Sequence, residues 1–212
     1  YGLDKWGLLF APRQLLAMTS LVAWCKQIGQ TLSVQTDLDF AEAVQVLIAL
    51  AIDRQADFSS SLCGWWAGGE KIQHTFGRQA LPMIWDFVEG NPWSDSTGSW
   101  DGAWGWGVKV CEHVTHSKMH IGSAEQSTAT SNPLPDDSAS AFISDPPYYN
   151  AVPYADLSDF FYVWLKRTLP PMIIRLFADP LAPKSQEICQ MSGWDPLRYP
   201  EKNGAWFENQ MG

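Results

Sequence analysis

Residues 40–52 constrain this chain more than any other stretch. Phe40, Ala43, Val44, Leu47, Ile48, Ala51 and Ile52 fall on one side of a 3.6-residue period, and the other sides are also mostly apolar. A helix with so little to offer water predicts a central position in a packed body, with Asp37 or Asp39 capping its start. The apolar run at 43–52 is about half the roughly 20 residues of a membrane span and contains Gln45, so it reads as core.

Other helices are expected around it. Pro12 suits a first turn, and Leu15, Leu16, Thr19, Val22 and Ile28 recur near the helical period, with Gly29 as a C-terminal stop. A third helix is expected from about His74 to Glu89, striped by Phe76, Ala80, Ile84 and Phe87, with Pro82 as a kink or as its true start. Residues 89–108, rich in Gly, Ser and Trp, read as a loop, and 123–140 as a second polar stretch. Ala141, Phe142 and Ile143 then predict a short buried strand, ended by Pro146 and Pro147. Asp156 is expected to cap a helix whose apolar surface is Leu157, Phe160, Phe161, Val163, Trp164 and Leu165. Lys166 and Arg167 suit its C-terminal end, and Pro170 and Pro171 stop it. One weak helix is expected near the end of the chain.

Composition narrows the classes. An apolar fraction of 46% over 212 residues is enough for a core and excludes a disordered chain. Fourteen basic against twenty-three acidic residues leave −9, a poor electrostatic grip on nucleic acid or an anionic membrane. Cys25, Cys63, Cys111 and Cys189 form no C-x-x-C pair, which predicts reduced thiols and a cytoplasmic location. The start at Tyr1 predicts a piece of a longer polypeptide.

The string that carries chemistry is Ser144-Asp145-Pro146-Pro147-Tyr148-Tyr149. In open α/β sheets, ligands sit beyond the carboxyl ends of strands, where this string is expected. Its residue types suit methylation of an exocyclic amine on a planar base. Such an amine is a weak nucleophile because its lone pair is delocalised into the ring. Two acceptors on its N–H bonds favour a pyramidal nitrogen: the Asp145 carboxylate is one and the Pro146 carbonyl the other, its direction fixed by the prolines. Tyr148 can stack on a base taken out of its duplex. The plainer reading is a proline turn after a strand.

D-P-P-Y is the catalytic motif of S-adenosylmethionine-dependent amino-methyltransferases, and the Asp form resembles the N6-adenine DNA methylases. The string from Asp145 to Arg167, D-P-P-Y-Y-N-A-V-P-Y-A-D-L-S-D-F-F-Y-V-W-L-K-R, is similar to one group of these enzymes, adenine-specific methylases carrying the DUF1156 domain. The stretches at 1–17, 76–92 and 183–188 resemble that group too. The resemblance implies an α/β, helix-rich chain: a mainly helical segment over 1–110, and over 111–212 part of a Rossmann-like methyltransferase domain. It makes Asp145, Pro146, Pro147 and Tyr148 catalytic, and Tyr148, Tyr149 and Tyr154 base-binding. Gly122, Ser123, Ala124 and Ser144 become contacts to S-adenosylmethionine, although Ser123 replaces the acidic residue usual in that turn.

The group's Gly-rich donor loop, typically D-P-F-x-G-x-G, has no counterpart here, and Trp104-Gly105-Trp106-Gly107 is no substitute. The expected partners are therefore the N-terminal cofactor-binding half of the same polypeptide and, through the whole protein, DNA. Self-association of the isolated piece is a further expectation, and membrane binding is not expected. Methylation of RNA or of a protein glutamine, or a non-catalytic interaction segment, are the alternatives. Cys111, His113, His116 and His120 read as solvated or hydrogen-bonded residues rather than metal ligands. Trp93, Trp100, Trp104 and Trp106 could stack on bases, but packing suits them better because the segment lacks cations. Trp65 and Trp66 are expected in the core or an interface.

Overall fold

The structure, a computed structural model, describes residues 3–117, 120, 122–128, 131 and 133–211. It is rich in helix, with 48% of residues helical. The chain forms two compact units: Tyr1–Ser117 with Asp156–Ala182, and Lys118–Ala155 with Pro183–Gly212.

The first unit is built on α1 (Pro12–Gln35) and α2 (Leu38–Asp57), which pack along each other. Asp37 caps α2 by accepting from the N–H groups of Asp39 and Phe40. The α2 stripe is buried at Ile48, Ala51 and Ile52 and continues through Ala56, but Phe40 is 56% exposed and Ala43 and Leu50 are open. The helix is central in its second half and superficial in its first.

The expected α1 face holds at Leu15 and Val22, which are half-buried against the core, and is shifted elsewhere. The buried residues are Gln14, Met18, Leu21, Cys25 and Gly29, while Leu16, Thr19 and Ile28 are exposed. Gln14 is the reason a polar residue leads the stripe: its Oε1 accepts from the Ala11 N–H at 2.8 Å and its Nε2 donates to the Ser60 carbonyl at 3.1 Å. Gly29 is not a stop but lies inside α1. A Cβ there would come 2.1 Å from Gln45 Oε1, so glycine allows the side chain of α2 to approach. Gln45 Nε2 in turn donates to the Thr168 carbonyl at 2.7 Å.

Residues 74–89 do not form the expected helix. Gly77 and Pro82 disfavour one, and the segment is tied instead to the end of α2. The Thr75 N–H and hydroxyl both donate to the Asp57 carbonyl, at 2.7 and 2.8 Å, and the Phe76 N–H donates to Asp57 Oδ1 at 3.1 Å. Phe76 then packs edge-on against Phe160, with ring centroids 5.2 Å apart. Before this segment, β1 (Trp65–Trp66) and β2 (Lys71–Ile72) form a short antiparallel hairpin.

The second correction concerns the loop expected at 89–108. Its latter part is helical: α3 runs from Trp100 to His116, capped by the Ser99 hydroxyl, which accepts from the Gly102 N–H. Three glycines weaken that helix by about 1 kcal/mol each. Trp100 and Trp104, packed against the core, offset this cost. α4 (Tyr154–Thr168) starts two residues before the expected Asp156 cap and leaves that residue in its first turn. Phe160 and Trp164 join Phe10, Met18, Cys25 and Ile52 in the core cluster. Short helices α5 (Pro171–Ile174) and α6 (Gly204–Met211) complete the order.

Ala141, Phe142 and Ile143 form no strand. Phe142 is 79% and Ile143 93% exposed. A strand requires a neighbour to take up its N–H and C=O groups, and this run has none among the described residues. Likewise, none of the described helices is long and apolar enough to cross a membrane.

Candidate functional site

Within the second unit, residues 144–151 form a surface turn. Asp145 and Pro146 are exposed, and Pro147 is half-buried. The turn is closed by the Tyr149 N–H donating to the Pro147 carbonyl at 3.0 Å and the Ala151 N–H donating to the Tyr148 carbonyl at 2.8 Å. It is not carried on the end of a strand, contrary to the sequence expectation.

The structure gathers three of the expected residues. Tyr148 and Tyr154 meet edge-on with ring centroids 6.4 Å apart, and both rings are open to solvent. The Tyr154 phenol is pushed above its ordinary value, first by lost hydration and then by the charges of Tyr148, Asp145, Cys189 and Glu187. Asp145, Tyr148 and Tyr154 thus share one neighbourhood. Two acceptors and a flat ring at the surface suit a planar amine brought in from outside.

Tyr149 has a structural task. Its φ of 51° puts a bulky residue in the left-handed region, a strained conformation that the surroundings must hold. The ring packs on Phe207 at 4.6 Å, and a Cβ on Gly204 would lie 2.5 Å from its hydroxyl. The Tyr149 carbonyl accepts from the Gln190 N–H at 3.0 Å, and the buried Cys189 thiol lies 3.3 Å from it. Trp194 Nε1 donates to the neighbouring Asn150 carbonyl at 3.0 Å. The residues after 183 therefore serve as the bracket for the turn. Lys202 adds to it from a buried position, donating from Nζ to the carbonyls of Lys184 and Glu187 at 2.6 and 2.7 Å. Sequence reasoning missed this bracket because its residues have no pattern of their own.

The expected cofactor contacts do not come together. Gly122, Ser123, Ala124 and Ser144 are exposed in irregular chain, and open space surrounds Gly122. Among the described residues no hydrogen bond joins them to Asp145 or Tyr148. Tyr1, Gly2 and Ile121, which enter the family resemblance, lie outside the described residues. Among those that are described, no group of three His, Cys, Asp or Glu side chains could hold a metal ion. His113 and His116 occupy the last turn of α3, where His116 Nδ1 lies 2.7 Å from the Glu112 carbonyl.

Two open clefts of about 500 and 510 Å³ lie in the first unit. One sets Trp24 against Trp93, with centroids 5.6 Å apart, beside the Arg13–Glu89 ion pair. The other is bordered by the β1–β2 hairpin and residues 73–84. Trp65 and Trp66 are exposed on that hairpin, not buried. Comparison with known proteins gave no matching family model, no matching curated protein and no matching solved structure.

Proposed function

We propose that the chain carries the base-holding corner of an S-adenosylmethionine-dependent methyltransferase that acts on the N6 amine of adenine in DNA. In this reading the corner belongs to a Rossmann-like α/β domain, and the bare Ala141-Phe142-Ile143 run becomes a strand once other strands flank it. One observation carries the proposal: Asp145-Pro146-Pro147-Tyr148 lies at the surface just ahead of α4, with Asp145, Tyr148 and Tyr154 in one neighbourhood.

The roles follow from residue chemistry. The Asp145 carboxylate and the Pro146 carbonyl accept the two N–H bonds of the amine and favour a pyramidal nitrogen. The ring of Tyr148 receives one face of the extruded base, and Tyr154 borders it. Tyr149 maintains the turn from behind. The methyl donor is held by parts of the polypeptide that these residues do not supply, and calorimetry of the 212-residue chain with S-adenosylmethionine should show no micromolar binding.

The test uses a polypeptide extended at its N-terminus to include a Gly-rich donor loop, with a labelled methyl donor and duplex DNA. Label should appear in N6-methyladenine after digestion to nucleosides. Asp145→Ala should reduce the rate by at least about a hundredfold, the size of losing one preorganised polar group. An Asp145→Ala protein that methylates at the wild-type rate, or label found in RNA or glutamine alone, would overturn the reading.

A further inference from the structure

The chain as a whole is acidic at −9, yet one cleft runs against that balance. Lys71, His74 and Arg78 line the 510 Å³ cleft of the first unit, and no Asp or Glu does. Between Lys71 and Arg78 the sequence contains no acid, K-I-Q-H-T-F-G-R. Neither Lys71 nor Arg78 has a carboxylate within ion-pair distance among the described residues.

Two of these side chains, Lys71 and His74, are held in place by neighbours. Lys71 Nζ lies 4.9 Å from the centre of the Trp66 ring, within cation–π range. Trp66 is itself seated on the hairpin turn, where a Cβ on Gly69 would come 2.5 Å from the ring. Glycine is required there for the ring to lie so close. His74 is oriented from behind by Asp57, Nδ1 to Oδ2 at 3.2 Å, and by the Phe58 ring at 5.6 Å. The other Asp57 oxygen accepts from the Phe76 N–H, and Asp57 itself does not line the cleft. Phe58, Leu62, Ile72, Pro82 and Ile84 contribute apolar lining.

We propose that this cleft binds a nucleotide, with its phosphate met by Lys71, His74 and Arg78 and its nucleoside against the apolar lining. A cleft of about 510 Å³ exceeds what a phosphate fills and falls in the usual range for small ligands. Lys71 and Arg78 supply positive charge along this lining, and phosphate is an anion such groups bind. Trp66 is a positioning residue that fixes Lys71. The inference is independent of the methylation proposal, since neither Asp145 nor a methyl donor enters it.

Two sources carry this chemistry, a free nucleotide and a nucleotide unit of a single strand. Calorimetry of the 212-residue chain with AMP, adenosine and inorganic phosphate, and anisotropy of a labelled oligothymidylate of about 8 nucleotides, separate them. Binding of AMP well above that of adenosine and phosphate assigns the free nucleotide. Binding of the oligonucleotide without AMP assigns the strand. In either case Lys71→Gln and Arg78→Gln should each weaken binding roughly fivefold, and for the oligonucleotide each should lower the salt slope by about 1. Trp66→Leu should weaken it less, and Lys26→Gln, outside the cleft, should leave it unchanged. Circular dichroism checks the fold of each variant, all at exposed positions. The proposal is overturned if neither AMP nor the oligonucleotide binds, if phosphate alone binds as well as AMP, or if folded Lys71→Gln and Arg78→Gln proteins bind like wild type.

Discussion

The first unit has a closed core and the second does not. In the first, α1, α2 and α4 bury Met18, Cys25, Ile52, Phe160 and Trp164, and the aromatic rings of Phe10, Phe76 and Phe160 interlock. In the second, every described residue from 120 to 146 is exposed, and the buried side chains include Val152, Cys189, Met191, Lys202 and Phe207, near the turn at 147–151 and in its bracket. The contrast has a physical source. A helix satisfies its own backbone and asks neighbours for apolar cover alone, whereas a strand needs a partner for its backbone as well. The helical body is therefore complete with the residues it has. The Asp145-Pro146-Pro147-Tyr148 motif follows a run, Ala141-Phe142-Ile143, whose residue types suit a strand but which has no strand partner among the described residues.

Four substitutions test that difference. The largest effect belongs to the closed core: Ile52→Ala should cost ~2–5 kcal/mol in urea unfolding, because the fully buried side chain leaves a cavity. A loss below about 1 kcal/mol would mean that the core is looser than described.

Next comes Asp53, buried in α2 with Oδ1 lacking a hydrogen-bond partner and its pKa raised by burial to about 8. The folded state thus holds the proton more tightly than the unfolded chain does. The Asp53 contribution to stability is therefore most favourable below about pH 4, falls as pH rises to about 8, and is flat above that. Asp53→Asn should remove this slope and raise stability at neutral pH, read from thermal unfolding across pH. An unchanged slope would remove Asp53 as its cause.

In the second unit, Lys202→Met should cost about 1–3 kcal/mol locally by leaving the Lys184 and Glu187 carbonyls without their donor. Faster exchange at the amides of Gln190 and Met191, with α1 and α2 unaffected, is the expected signature. The smallest effect should come from Ile143→Ser. At 93% exposure the side chain has nothing to lose, and unfolding should shift by less than about 0.5 kcal/mol. A larger loss would show that the run is packed after all.

What the sequence revealed follows the same division. The start of α2 was readable from Asp37 because a capping side chain is a local signal, and the α4 helix from its apolar surface and terminal charges. The buried face of α1 was not, since Gln14, Cys25 and Gly29 are buried by contacts made far along the chain. α3 was hidden by Gly102, Gly105 and Gly107, although Ser99 was an available cap. In the site, Asp145 and Tyr148 were legible as a motif. Tyr149 read as a base contact, and its left-handed backbone and Phe207 packing could not be inferred from residue types. His74 and Arg78 fell within the expected helix and Lys71 just before it, so the cleft they line was not legible in the sequence.

A closed helical core and an exposed turn bearing Asp145 and Tyr148 coexist in one chain. Hydrogen exchange of the 212-residue chain tests this coexistence most directly, peptide by peptide. Amides in the middle of α1 and α2 should be protected to near the global stability, while those of Phe142, Ile143 and Asp145 exchange at close to the rate of unstructured chain. Protection of residues 141–145 equal to that of α2 would contradict it.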